Sequence, residues 1–557
     1  MNYFLGTAFV LIVLFLTRNF IKKKHLKKFK ASLYANWGQE KKDKYYNFFV
    51  IRKYFDNNLH EAKTYHLISE KSKLDLDIDE VFKFIDRTSS KIGQQYLYFK
   101  LRTIGTLQEL VKFSELTTIF QKDKEVCISC QLELSKLNTT NSYYLEELIN
   151  GKQIEKPKNL WFIQGLTAFS ISSIILSFFF PVFILFLVPI FCINSVFHYK
   201  NKAHVNYYLQ GVSQLSKSLK VAKKLSKIDA IKTHYKDFSF IKKINAIMLK
   251  VEFIGFEKNL NNEWTFAIWL VIELFKILFN IEYLVFYSFL KAITKEKKSI
   301  ESLFIFIGTI DVSISTASLK SGNLKICTPT FNDHNELKTQ EMYHPLIENC
   351  IANDVHLMDN SMLLTGSNMS GKSTFIRTVA VNSILAQTLN ICFANAYKAP
   401  FYKVYSSIRI TDDLLDNTSY YLQEVLNIKE LIDASLDEKP CLFVLDEIFK
   451  GTNTIERISG GKAILCYLNK KQHTVLVSTH DIELTELLEK EQYKLFHFSE
   501  LIENNELFFD HKIKKGKLKT RNALKILALY NYPSEILVAA KKVERSYFSL
   551  KSISLPK

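Results

Sequence analysis

Gly366-Ser367-Asn368-Met369-Ser370-Gly371-Lys372-Ser373 is a stretch whose residue types and spacing suit it to hold phosphate. In the pattern GxxxxGK[ST] backbone N–H groups turn toward the anion, and the helix that follows points its positive end at the same place. The flanks agree: Met362 to Leu364 read as a short buried strand and Thr374 begins a helical run. On this reading residues Gly366 to Thr374 line the phosphates, Lys372 contacts the β- and γ-phosphates, and Ser373 ligates Mg²⁺. A second strand, Cys441 to Leu445, ends in Asp446-Glu447, where Asp446 holds the Mg²⁺ shell and Glu447 polarises the attacking water. A third, Thr474 to Ser478, ends at Thr479-His480 and places an imidazole where it senses the γ-phosphate. Lys372, Glu447 and His480 are the candidate catalytic groups, and ATP with Mg²⁺ the expected ligands. Any one acid or histidine alone would more often be a surface residue. Three strands ending in GKS, DE and H, in this order, are hard to explain otherwise.

Such strand ends need a scaffold, and the composition bounds it. The chain has 557 residues, 47% apolar and 23% charged, with only 16 Gly and 9 Pro. That length allows about three domains, each able to bury a core, and excludes disorder and collagen-like structure. With 44 Phe and 27 Tyr but few turn residues, a helix-rich α/β protein is expected rather than an all-β one. Residues 203–250 carry Leu, Ile and Val at three-and-four spacing and read as helix. Around residues 317–345 Ser, Gly, Thr, Pro and Asn appear, marking a boundary beyond which short β-rich runs alternate with helical ones.

The most concentrated apolar stretches lie outside that α/β region. Residues 3–17 contain no charge and are followed by Arg18, Lys22, Lys23, Lys24, Lys27, Lys28 and Lys30, the order of an uncleaved anchor with everything after Arg18 beginning on the cytoplasmic side. From Trp161 to Phe197 no side chain is charged, and Pro181 interrupts the run near its middle, which predicts a helical hairpin through the hydrocarbon with both ends cytoplasmic. A third apolar region, Trp264 to Leu290, contains Glu273, Lys276 and Glu282 and is expected as a soluble core or lever helix.

The net charge of +18 implies a polyanionic partner, either nucleic acid or an anionic membrane face. The basic run after Arg18 flanks a span and favours lipid. Lys217, Lys220, Lys223, Lys224 and Lys227 suit a DNA backbone, or simply a solvated helix face. Of the eight cysteines only Cys127 and Cys130 are close, and with no second such pair they read as reduced thiols one helical turn apart.

TGSNMSGKSTFIRT (365–378), VLDEIFKGTNT (444–454) and VSTHDIELTEL (477–487) resemble the ATPase domain of the MutS family, and Asn368 and Met369 are the letters that separate it from other phosphate-loop ATPases. Tyr343 to Leu346 and Ile351 to Asp354 resemble the approach to that family's loop. Asp412-Asp413 and Ser419 to Glu424 resemble its DD…STFMxE element, and residues 516–533 its closing dimerisation helices. The resemblance extends to residues 74–103, similar to the opening of the core/lever segment. It implies an ATP hydrolase working as a homodimer, with Ser419 approaching the partner's ATP in trans. Where family members present an aromatic to the adenine, this chain has Cys350. Residues 459–462 (SGGK) resemble a transporter signature but follow the second strand rather than precede it, so they are expected as a helix N-cap. A Phe-x-Glu wedge is not expected: Phe256-Glu257 lacks the intervening residue.

The expected organisation is an anchor at 1–20, a basic linker at 21–73, a helical core/lever domain at 74–330 carrying the hairpin at 161–197, a MutS-type α/β phosphate-loop ATPase domain at 331–510 and a helical dimerisation segment at 511–557. The expected function is a MutS-like ATPase held by three spans in the inner membrane of a bacterium, with its ATPase domain in the cytoplasm. DNA, mismatched or branched, is the expected partner. The alternative is an ATP-driven membrane switch acting on a protein or lipid.

Overall fold

The computed structural model describes residues 2–41, 45–58, 64–150, 160–249, 273–367, 369–409, 420–449, 451–470, 472–503, 506–518 and 523–553. They form two compact units, one from residues 1–62, 85–99 and 112–322 and the other from residues 63–84, 100–111 and 323–557. The N-terminal part is mostly helical and the C-terminal part carries mixed α/β sheets.

The helical unit begins with one 34-residue helix, Asn2–Ala35, so the apolar run and the basic run after it share a single rod. Lys30 pairs with Glu125 at 2.8 Å on the neighbouring helix Lys124–Leu134. Cys127 and Cys130 lie on that same helix, both fully buried, and burial pushes both thiols up, Cys130 to about 12. The core is built around the 24-residue helix Lys297–Lys320, which by length and composition could cross a membrane yet has 83% of its most apolar window buried. Its middle carries Asp311, whose carboxylate accepts from Ser89 N at 2.7 Å, Ser90 N at 2.8 Å and Ser90 Oγ at 2.5 Å. Those bonds satisfy the open N–H groups where the helix Lys91–Arg102 starts. Gly93 sits against the same carboxylate, where a Cβ would lie 2.1 Å from Asp311 Oδ2.

The apolar region with Pro181 near its middle forms two helical arms, Leu160–Ser177 and a 3₁₀ turn from Pro181 that runs into Leu187–Leu225. The chain reverses over Phe178 to Phe180, all three exposed, because proline at 181 cannot extend the first helix. In both arms only 17% of the most apolar window is buried. Residues 264–272 of the third apolar region lie outside the described residues. From 273 onward the expected continuous helix is broken at Asn280, whose φ of 49° is left-handed, before helix Ile281–Lys295 resumes. This segment packs on the hairpin: Asn194 Nδ2 donates to Leu278 O at 2.9 Å, Thr167 Oγ1 to Phe279 O at 3.2 Å, and Glu273 lies 3.2 Å from His198. Glu273, one of the ionisable groups that argued against a lone span, thus faces a polar partner.

The second unit holds a six-stranded sheet. Its strands are β1 (Ser361–Thr365), β2 (Lys403–Ser407), β3 (Cys441–Asp446), β4 (Thr474–Ser478), β5 (Tyr493–His497) and β6 (Lys514–Lys515), in the order β6-β5-β1-β4-β3-β2. All neighbours are parallel except β5 with β6. Residues 361–365 and 474–478 are buried throughout, the continuous apolar pattern expected of a parallel strand covered on both faces. A four-stranded sheet of Thr330–Phe331, Ala396–Ala399, Glu336–Met342 and Asn353–Met358 precedes and flanks it in sequence. Segment 63–84, read from sequence as part of the linker and the opening of the helical region, lies in this unit: His66–Leu67 pairs with Thr103–Ile104, and His66 Nε2 donates to Val404 O at 2.8 Å.

Candidate functional site

Parallel strands end together, and here the register brings three ends level. Ser478 of β4 pairs with Leu364 of β1 on one side and with Asp446 of β3 on the other. The bonds continue past the strands, with Thr479 N donating to Leu364 O at 3.0 Å and Glu447 N to Ser478 O at 2.8 Å. Loop 366–371, Asp446-Glu447 and Thr479-His480 therefore emerge side by side at the carboxyl edge of the sheet, the place where open α/β sheets bind ligands.

The loop that leaves β1 bends through Gly366 (φ 155°), Met369 (φ 68°) and Gly371 (φ 108°), and the helix Lys372–Leu389 starts directly after it. At Gly366 a Cβ would lie 2.8 Å from Ser370 Oγ and 2.9 Å from Phe498 O, so only glycine lets the chain pass. Ser370 Oγ donates to Ser367 O at 2.8 Å, and Ser367 Oγ to Glu500 at 2.7 Å. Lys372, 5% exposed, donates to Gly366 O at 3.0 Å and Ser367 O at 2.8 Å, so its ammonium lies inside the loop. Ser373 and Thr374 follow on the first turn, both partly exposed. Asn368 and Ser419 lie outside the described residues, as do Asp412 and Asp413.

Lys372 Nζ is 3.2 Å from His480 Nε2, and the same Nε2 is 3.4 Å from Glu447 Oε1. Burial, then the Lys372 cation, hold His480 below the usual imidazole range, against the opposing pull of Glu447 and Asp446. A neutral imidazole accepts from the lysine through Nε2. Glu447 has a φ of 56°, a conformation that costs a non-glycine residue about 1–3 kcal/mol and survives where its surroundings fix it. Asp446 accepts from Ser478 Oγ. Arg457 grips Asp481 with two bonds of 2.9 and 2.8 Å and steadies the turn that carries His480.

This set fits a polyphosphate with a divalent cation. The loop has a buried ammonium and a helix N-terminus at its end. Ser373 and Asp446 are the hydroxyl and carboxylate that would hold Mg²⁺, and Glu447, beside His480, is the carboxylate suited to act as base.

Two contacts had no signal in the sequence. His511 Nδ1 donates to Ser370 O at 3.0 Å, and its own carbonyl accepts from Asn353 Nδ2 at 3.0 Å, so the segment after residue 509 closes over the loop. Glu500, the first residue of the strand Glu500–Glu503, reaches Ser367. Both lie more than 120 residues along the chain from the loop they touch. Cys350 Sγ accepts from His344 N at 3.4 Å. Residues 459–462 are not an N-cap. They lie inside the helix Thr454–Leu468, whose cap is Asn453, accepting from Glu456 N at 3.0 Å. Their glycines admit the turn after β3: a Cβ at Gly461 would meet Ile448 at 2.9 Å and one at Gly460 the ring of Phe449 at 3.0 Å.

Comparison with known proteins locates this architecture. Residues 362–547 match the family model MutS domain V. The DNA mismatch repair protein MutS of Listeria welshimeri is 32% identical over 278 residues, which cover 47% of this chain and 32% of that protein. The proteins of the same description from Staphylococcus epidermidis and Aquifex pyrophilus are 30% identical over 238 residues and 29% over 275, covering 41% and 47% of this chain and 27% and 32% of theirs. The chain spans about a third of the length of these relatives.

Proposed function

From the premise that this chain is a MutS-family protein through its C-terminal half, we propose that it binds and hydrolyses ATP at loop 366–373, as a membrane-anchored dimer that acts on DNA. The observation that carries the hydrolase reading is the level ending of β1, β3 and β4, which sets His480 3.2 Å from Lys372 and 3.4 Å from Glu447. The phosphates bind against the loop N–H groups and the start of the helix Lys372–Leu389, where the Lys372 ammonium exchanges the Gly366 and Ser367 carbonyls for β- and γ-phosphate oxygens. Glu447 accepts the proton of the attacking water. His480, neutral and beside Lys372, accepts from the lysine through Nε2 and is placed to sense the γ-phosphate. Ser373 and Asp446 would hold Mg²⁺, which neutralises phosphate charge. Ser419 is assigned to the partner's ATP, so closure of the dimer on ATP would move the helical unit.

The anchor reading is supported by the apolar arms Leu160–Ser177 and Pro181–Lys200, long enough to cross a bilayer and largely unburied. The N-terminal apolar run is read as a third span, and Lys and Arg at the flanks support a cytoplasmic α/β unit at the inner membrane of a bacterium. DNA is assigned from the relatives' mismatch-repair description and the basic charge.

Detergent-solubilised protein tests both parts. Lys372→Ala should abolish turnover, and Glu447→Gln should bind ATP without hydrolysing it. Normal turnover in Glu447→Gln would remove the assigned base. Binding of duplex, mismatched and branched DNA is then measured across a salt series, and no binding at low salt would overturn DNA as the partner. Stimulation of the ATPase by anionic vesicles instead would favour a membrane switch, the reading that the basic run after Arg18 supports.

A further inference from the structure

Segment 63–84 of the α/β unit carries two carboxylates that grip the end of β2. Asp75, 1% exposed, accepts from Ser406 Oγ at 2.7 Å, Ile408 N at 3.1 Å and Arg409 N at 2.8 Å. Asp77, two residues on, takes the Arg409 guanidinium in a forked pair of 2.9 and 2.7 Å, and Arg409 Nη1 also donates to Leu74 O at 2.9 Å. Both the backbone and the side chain of Arg409 are therefore fixed by one short stretch.

The same Asp77 also reaches the helix that follows the phosphate loop. Arg377 Nη1 lies 3.8 Å from Asp77 Oδ2. Arg377 stands four residues after Ser373 on the helix Lys372–Leu389, so it is on the same face one turn along. Two guanidinium groups thus share one carboxylate. Burial, then Arg409, hold the Arg377 guanidinium below its ordinary range, while Asp77, Asp446 and Asp75 oppose the shift. Asp77 itself has a φ of 50°, left-handed backbone held by the contacts around it.

We propose that Asp77 is a positioning residue for ATP turnover: by holding Arg377 and Arg409 together it locks the helix that carries Lys372 and Ser373 to the end of β2. Without that charge the two cations repel, and the helix is free to shift relative to Asp446 and Glu447. The binding loop keeps its own contacts, so the effect falls on turnover more than on nucleotide affinity. The proposal rests on the ATPase reading above.

The test is Asp77→Asn in the full-length, detergent-solubilised protein. Asparagine accepts left-handed backbone readily, so the substitution removes the charge and keeps the turn. Misplacement of reacting groups by about 1 Å costs on the order of 100-fold in rate, so a fall in kcat of at least about tenfold is expected. KM, and the Kd of a fluorescent non-hydrolysable ATP analogue, should change by less than about threefold on the same grounds. Arg409→Gln should lower kcat likewise, and the double variant should be no slower than the slower single one, because both act through one pair. Wild-type kcat in Asp77→Asn, with wild-type turnover intact, overturns the proposal alone. Equal losses of kcat, analogue affinity and Tm also overturn it, since they mark a residue that supports only the fold. If the wild-type protein turns over no more ATP than Lys372→Ala, the ATPase reading falls and takes this proposal with it.

Discussion

Replacing Gly366 with alanine tests the geometry of the phosphate loop most directly. The added methyl would stand 2.9 Å from the carbonyl oxygen of Phe498 and 2.8 Å from Ser370 Oγ. The first is backbone, fixed because Phe498 N donates to Thr365 O at 3.0 Å, so the chain itself must move by several tenths of an ångström. The second can rotate away only by giving up its bond to Ser367 O, worth about 1 kcal/mol. A φ of 155° adds about 1–3 kcal/mol for a residue with a Cβ. The sum is about 3 kcal/mol. If the loop relaxes out of its binding shape to escape that strain, ATP affinity falls by about 100-fold, since each 1.4 kcal/mol is a factor of ten. Titration with a fluorescent ATP analogue reads this, with Gly165→Ala as control, where a Cβ would meet nothing within 4 Å. Adding Ser370→Ala to Gly366→Ala removes one of the two obstructions and should restore part of the affinity. A Kd within about threefold of wild type at unchanged Tm would refute the argument that loop shape is held by glycine at this point.

Three further outcomes follow from other parts of the molecule. Gly93→Ala should destabilise the helical unit by about 3 kcal/mol or more, because its methyl would overlap Asp311 and the three bonds that cap the next helix cannot all survive; a Tm unchanged in a thermal melt would contradict this packing. His66 and His344 are buried imidazoles held down to about 4 by desolvation, so the unfolded chain takes up their protons first and stability is lost as pH falls from about 6.5 toward 4, by up to about 3 kcal/mol for each. Melts at pH 7 and pH 4.5 should show a smaller acid loss in His66→Gln than in wild type, and parallel losses would refute the assignment. Removing residues 2–35 should leave the protein in the membrane pellet after alkaline carbonate extraction because the hairpin remains, whereas release into the supernatant would assign the whole anchor to the first helix.

What could be read in advance was whatever is local. Strands β1, β3 and β4 announce themselves as apolar runs ending in GKS, DE and TH, and the parallel register that levels those ends follows from their burial on both faces. The reversal before Pro181 is likewise written in one residue. Long-range partners leave no such trace. Nothing near Asp75 or Asp77 indicates that they close on Arg409, more than 330 residues away, and nothing near His511 points to Ser370. The SGGK tetrapeptide misleads for the same reason: its glycines serve the close approach of Ile448 and Phe449, which a linear pattern cannot display. The break at Asn280 was hidden because an asparagine within an apolar helical pattern is tolerated as often as it turns the chain.

The division of the chain also sets an order on its folding during synthesis. The α/β unit is assembled from residues 63–84, 100–111 and 323–557, so its first pieces leave the ribosome before residues 112–322 and must wait for the rest. At 5–20 residues per second that interval is about 10–40 s. Throughout it, His66 has no Val404 to bond, Asp75 has no Arg409 backbone to hold, and the pair of strands His66–Leu67 and Thr103–Ile104 has no sheet unit around it. The apolar hairpin at 160–200 emerges within the same interval. Its largely unburied apolar arms are then the stickiest surface on a half-made chain, exposed before the α/β unit can close.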